Sequence, residues 1–175
     1  MKARKGLSLA VLLLAAAAMA GAQARKVTLQ EGDAAPKFTN PDMAGKYLMS
    51  TKVYGTGWVL VDFFATWCEP CKKELPELEK LYRKFEKSGK LQAILFDTDT
   101  DPSLVGPFFQ SRPTPLSVVL DRYQVTAERF GVENLPMLFL LDASGRIAVK
   151  GVGETGILDA LARIEALLTR ELGGN

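Results

Sequence analysis

The sequence predicts an α/β fold, a sheet with helices on both faces, and three observations carry that expectation. Short apolar runs rich in β-branched and aromatic residues recur at Trp58 to Phe64, Leu91 to Phe96, Leu116 to Leu120 and Met137 to Leu141, each of strand length. Two longer stretches instead place apolar residues at helical spacing: Leu75, Leu78, Leu81, Tyr82 and Phe85, and later Ile157, Leu161, Ile164 and Leu168. The two kinds alternate along the chain, as they do when helices connect strands of one sheet.

Taken in order, residues Arg25 to Gly57 are mixed and turn-rich, with Gly32-Asp33 and Asn40-Pro41 as breakers, and predict an N-terminal hairpin or cap. Trp58 to Phe64 reads as a buried strand. Pro70 to about Lys87 reads as a helix, with Pro70 suited to a first turn and Pro76 expected to kink the interior. Leu91 to Phe96 is the second strand. Asp101 to Ser111 looks helical but is interrupted by Pro102 and Pro107. Met137 to Leu141, the turn Asp142-Ala-Ser-Gly145 and Arg146 to Val149 make a hairpin, and Gly156 to Leu172 is the closing helix. The tail Gly173-Gly174-Asn175 is expected to fray.

Lys2, Arg4 and Lys5 precede an apolar stretch from Leu7 to Ala20, and Ala22-Gln23-Ala24 offers the small residues of a signal-peptidase site. Residues 1–24 therefore read as a secretory signal. The alternative is an uncleaved membrane anchor, because Leu7 to Ala24 approaches the roughly 18 apolar residues that can cross a bilayer. The expected location is periplasmic or otherwise extracytoplasmic. No cysteine follows the apolar run, which excludes a lipid-modified N-terminal Cys. Residues 25–175, about 150 in number, suffice for one domain. Loss of the three basic residues takes Lys and Arg from 22 to 19 against 20 acidic residues, so the mature chain is near neutral and gives no sign of a nucleic-acid partner.

The two cysteines, Cys68 and Cys71, stand three positions apart where the first strand hands over to the first long helix. Unpaired N–H groups and positive potential at a helix N-terminus stabilise a thiolate, so the spacing and the place point to a disulfide that opens and closes. A zinc site needs about four ligands, and the chain has no histidine and no third cysteine. Covalent haem attachment needs His after the second Cys, where Lys72 stands. A purely structural disulfide closing so short a loop stabilises by only about 2 kcal/mol. The expected cofactor is therefore none, the redox group being the Cys68–Cys71 disulfide itself. Asp97, Asp99 and Asp101 alternate, but the loop lacks the Gly and Glu of a calcium-binding helix-loop-helix and reads as a solvated strand end.

The run Val61 to Glu74 (Val-Asp-Phe-Phe-Ala-Thr-Trp-Cys-Glu-Pro-Cys-Lys-Lys-Glu), the upstream Gly32-Asp33-Ala-Ala-Pro36-Lys-Phe38 and the downstream Leu135-Pro136 resemble the TlpA/ResA-like thioredoxin family over roughly residues 31 to 170. The resemblance implies a thioredoxin fold, with a central mixed sheet and an N-terminal hairpin extension. It also implies an extracytoplasmic thiol-disulfide oxidoreductase, often serving cytochrome c maturation. The expected partners are an exported protein carrying a disulfide and a membrane thiol reductant as electron donor, with the chain itself a monomer.

In that chemistry an exposed Cys68 attacks and Cys71 resolves the mixed disulfide. Glu74, one helical turn after Cys71, matches the family's acidic active-site residue and is expected near the mouth of the site, raising thiol pKa values or relaying a proton; a solvated helix glutamate, which spacing alone favours, is the alternative. Asp62 interrupts an apolar strand and matches the buried aspartate of thioredoxins, a proton acceptor for the resolving thiol; a strand-edge carboxylate reaching water is the alternative. Glu69 and Pro70 sit between the sulfurs, and the negative charge of Glu69 and Glu74 disfavours thiolates, the mark of a reductant. Sequence alone makes the Leu135–Pro136 bond trans. The resemblance makes it cis, with Trp67, Leu135 and Pro136 facing substrate by strand addition and Met137-Leu138 making that surface apolar. Two other classes stand beside this one. A peroxiredoxin-like peroxidase would want Thr three residues before its Cys, whereas Thr66 is two before Cys68; a copper or peptide carrier would recruit His to a Cys pair.

Overall fold

The computed structural model describes residues 28–173, so the expected signal segment and the last two residues of the tail lie outside the described part. The chain opens with an antiparallel hairpin, β1 (Thr39–Pro41) and β2 (Tyr47–Met49), followed by a single helical turn, α1 (Ser50–Val53). Then come β3 (Trp58–Phe64), α2 (Glu69–Phe85), β4 (Leu91–Asp97), α3 (Val105–Ser111), β5 (Ser117–Leu120), α4 (Val125–Arg129), β6 (Met137–Leu141), β7 (Ile147–Val152) and α5 (Gly153–Leu172). The main sheet has the order β5-β4-β3-β6-β7. β3 runs parallel to β4 and antiparallel to β6, so the sheet is mixed, as expected.

β3 is central, and both of its faces are covered. This is why its sequence is a continuous apolar run rather than an alternating one. Leu60 and Phe64 face a core shared with α2 and α5, through Leu75, Leu78, Ile157 and Ile164. Val59, Val61 and Phe63 face the other core, with Phe38, Phe96, Phe130 and Phe139. Phe63 stacks on Phe96 at 5.1 Å between ring centroids. Gly151 of β7 lets α5 lie close on the sheet: a Cβ there would stand 2.7 Å from the Cβ of Ala160.

The helix read from Asp101 to Ser111 is a 3-10 turn (Pro102–Leu104) leading into α3. Pro107 is tolerated because it is the third residue of α3, where no N–H is needed for the ladder. α2 continues through Pro76 to Phe85. α4 has no counterpart in the sequence reading, since five residues are too few to show a period. It is held from outside instead, by Asp121, whose carboxylate accepts from the Thr126 and Ala127 N–H groups at 3.1 and 2.7 Å. Asn40 ties the N-terminal hairpin to the same place, donating to Leu120 O at 3.0 Å and accepting from Thr126 Oγ1 at 2.8 Å.

Candidate active site

Cys68 is the N-cap of α2, and its Sγ accepts the N–H of Cys71 at 3.3 Å. The two sulfurs are bonded to each other at 2.03 Å. Cys71 is fully buried, and Cys68, expected to be exposed, is only 4 % exposed. In the disulfide form the backbone turn at the helix head tucks its sulfur onto the first turn, leaving Trp67 and Glu69 as the exposed residues of the motif. Trp67 and Leu135 line one groove of about 330 Å³ with Thr98, Gln124 and Val132. The Leu135–Pro136 bond is cis, and Leu135 packs against the core that holds both cysteines. Met137 and Leu138 do not make the groove apolar. They begin β6, and both are buried because that strand lies inside the sheet.

Glu69 is exposed and paired with Lys72, Nζ to Oε1 at 2.7 Å; that bond lowers its pKa, with the lysine's charge adding to it. The pairing offsets the charge expected to press on the sulfurs. Lys73 leans toward Glu154 at 3.9 Å. Two further acids lie underneath. On α2, Cys71, Glu74, Leu75 and Leu78 share the buried stripe, and on β3 Asp62 lies between Leu60 and Phe64 on the same face. Glu74 is 6 % exposed and Asp62 2 % exposed, so Glu74 is not at the mouth and Asp62 does not reach water. The helical stripe that carries Cys71 into the core carries Glu74 with it.

Asp62 Oδ1 and both oxygens of Glu74 are buried without a well-formed hydrogen bond. Burial raises the pKa of Asp62 well above the ordinary carboxylate range, outweighing the relief from Glu74 and the Phe63 N–H. Burial, and then the charge of Asp62, push Glu74 up to about 10. Between them the two acids hold a proton at neutral pH, in the layer between helix and sheet into which Cys71 is also buried.

Asp97 and Asp99, read as solvated, are 1 % and 2 % exposed. β4 runs one residue further than expected, and the connection after it folds down onto the cysteine loop, where Asp99 Oδ2 accepts the Thr66 N–H at 2.7 Å. Burial and the neighbouring charge of Asp99 push Asp97 up to about 8. For Asp97 the sequence signal was present, since it continues the period of two at the end of a buried strand. Among the described residues no group of His, Cys, Asp and Glu is arranged to hold a metal ion, and no helix is long and apolar enough to cross a membrane.

Residues 31–150 match the AhpC/TSA family. The thiol-disulfide oxidoreductase ResA of Bacillus thuringiensis is 34 % identical over 131 residues, 75 % of each chain. The chain belongs to the ResA-like thiol-disulfide oxidoreductases. ResA of Bacillus subtilis is 32 % identical over 124 residues, 71 % of this chain and 68 % of its own. The thioredoxin domain of a thiol-disulfide oxidoreductase from Bacteroides vulgatus superposes with a TM-score of 0.68 at 25 % identity, over 78 % of this chain and 99 % of that one. Like these proteins, the chain is a thiol-disulfide oxidoreductase with a thioredoxin fold, and its Cys68–Cys71 disulfide is consistent with a C-x-x-C redox site.

Proposed function

We propose that this oxidoreductase works outside the cytoplasm as a reductant, opening disulfides in exported proteins, apocytochrome c among them. The observation that carries the reading is the Asp62–Glu74 pair buried behind Cys71. Any ionisation of that pair puts negative charge beneath the sulfurs, while Lys72 and Lys73 are drawn toward Glu69 and Glu154. Thiolates are disfavoured in such surroundings, and a dithiol whose thiolates are not stabilised gives up its electrons readily.

The proposed steps are those of thiol-disulfide exchange. Reduced Cys68, at the helix head, attacks one sulfur of the substrate disulfide; a new S–S bond forms and the other substrate sulfur leaves as a thiolate. Cys71 then attacks Cys68 Sγ. Its proton passes to the carboxylate form of the acid pair, since Cys71 is sealed from water. The bond from Cys68 to the second substrate sulfur breaks, that sulfur leaves as a thiolate, and the two substrate thiolates take up the two protons given up by Cys68 and Cys71; the substrate is then a dithiol and the enzyme the disulfide, which a membrane thiol reductant reopens. Trp67, Glu69, Pro70, Leu135 and Pro136 surround the approach, and an extended segment lies along Leu135 by strand addition.

A synthetic peptide with one C-x-x-C-H disulfide tests this. The reduced protein is expected to convert it to the dithiol, with one enzyme disulfide formed per peptide. If instead the oxidised protein closes the reduced peptide and the reverse reaction is not seen, the assignment as a reductant is wrong.

A further inference from the structure

The connection leaving β4 is stapled to the loop that carries the cysteines. The N–H and Oγ1 of Thr98 both donate to Phe64 O, at 2.9 and 3.0 Å. One residue on, the carboxylate of Asp99 takes the N–H of Thr66. The same peptide unit makes a second bond on its other side, where Ala65 O accepts the N–H of Cys68 at 3.0 Å. This peptide is trans, so its N–H and C=O point in opposite directions. Asp99 and Cys68 thus sit at the two ends of one polarisable group.

Asp99 is itself held in place. Its N–H donates to Asp97 Oδ1 at 3.0 Å, and Asp97 Oδ2 is buried with no partner. Burying two adjacent carboxyls is costly and adds no apolar packing. What the arrangement supplies is a fixed acceptor aimed at the peptide ahead of Cys68.

We propose that Asp99 is a positioning residue of the redox site, holding Cys68 at the head of α2 through the Ala65–Thr66 peptide. A carboxylate on the N–H draws electron density toward the carbonyl, which strengthens the bond from Ala65 O to the Cys68 N–H. Cys68 is thereby fixed in the extended N-cap conformation, φ −81° and ψ 99°, from which its sulfur meets the Cys71 N–H. The inference rests on the reading of Cys68 as the attacking sulfur.

Amide hydrogen exchange on the 15N-labelled full-length protein tests it, with Asp99→Asn as the isosteric variant and Asp99→Ala as the deeper one. In Asp99→Asn the Thr66 amide proton is expected to move upfield. The Thr66 and Cys68 amides are both expected to exchange about tenfold faster relative to the β4 amides, the scale of losing charge assistance to a buried bond. The pH profile of Cys68 alkylation is expected to shift with them, and Asp99→Ala to enlarge each effect. A role confined to supporting the end of β4 would quicken Thr66 alone. If the Cys68 amide and the alkylation profile match wild type in Asp99→Asn, the proposal is overturned, whether or not the alanine variant folds. Should another sulfur prove to be the attacking one, the alkylation would follow Cys71 while the amide result stood, so the two failures are distinguishable.

Discussion

Cys68→Ser is expected to bring disulfide reduction down to background, and Cys71→Ser to stop the enzyme after a single encounter, with substrate covalently attached. The asymmetry follows from placement. Cys68 lies at the helix head beside the exposed Trp67, whereas Cys71 faces the core and can reach only the sulfur of Cys68. Without the second thiol a mixed disulfide has no internal exit and must wait for an external thiol. Non-reducing gels followed by mass spectrometry read the outcome: a stable adduct on Cys68 in the Cys71→Ser variant, and none in Cys68→Ser. Equal residual turnover in the two variants would sink the assignment of roles.

The second large effect concerns the acid pair, and it has two opposite signs. Glu74 has its pKa raised from an ordinary 4.5 to about 10, so across that window the folded protein binds a proton that the unfolded chain has released. Stability therefore falls as pH rises, by about 1.4 kcal/mol per pH unit for each such proton. Asp62 acts in the same direction. Glu74→Gln removes that proton linkage at its site, and the expected result is a protein about 1–3 kcal/mol more stable at pH 8, with a flatter stability profile between pH 6 and 9. The same substitution disrupts, and Asp62→Asn removes, the carboxylate of the acid pair that receives the Cys71 proton. Resolution of a preformed mixed disulfide is expected to slow by about a hundredfold, the lower end of what positioned proton transfer contributes. Urea unfolding across pH and single-turnover release of a chromogenic thiol give the two halves separately. A Glu74→Gln protein that is neither more stable at pH 8 nor slower in resolution would show that the buried acid is inert.

Glu74 also marks where sequence reading reaches and where it stops. The strands and long helices are legible because β3 and β6, covered on both faces, must be written almost wholly in apolar residues. Asp62 is legible for the same reason, since a carboxylate in an apolar strand needs explaining; Glu74 is legible only through its spacing from Cys71 and the resemblance, which put it at the mouth and not in the core where it lies. Their meeting is not legible. It depends on how α2 settles on the sheet, which no local period records. Asp99 is hidden more thoroughly: in the sequence it belongs to a run of alternating acids that looks solvated, and only the path of the connection after β4 brings it onto Thr66. Glu69 shows the opposite failure. It stands beside the sulfurs in the sequence, yet its side chain turns to Lys72 at the surface.

The central claim is that this dithiol is a reductant, and its reduction potential tests that most directly. Equilibrating the protein with dithiothreitol or glutathione buffers and counting free Cys68 and Cys71 by mass spectrometry gives the value. The buried acid pair predicts a potential near that of thioredoxin, about −270 mV. A potential above roughly −180 mV, the range of protein disulfide isomerase and stronger oxidants, would contradict it and make this protein a donor of disulfides instead.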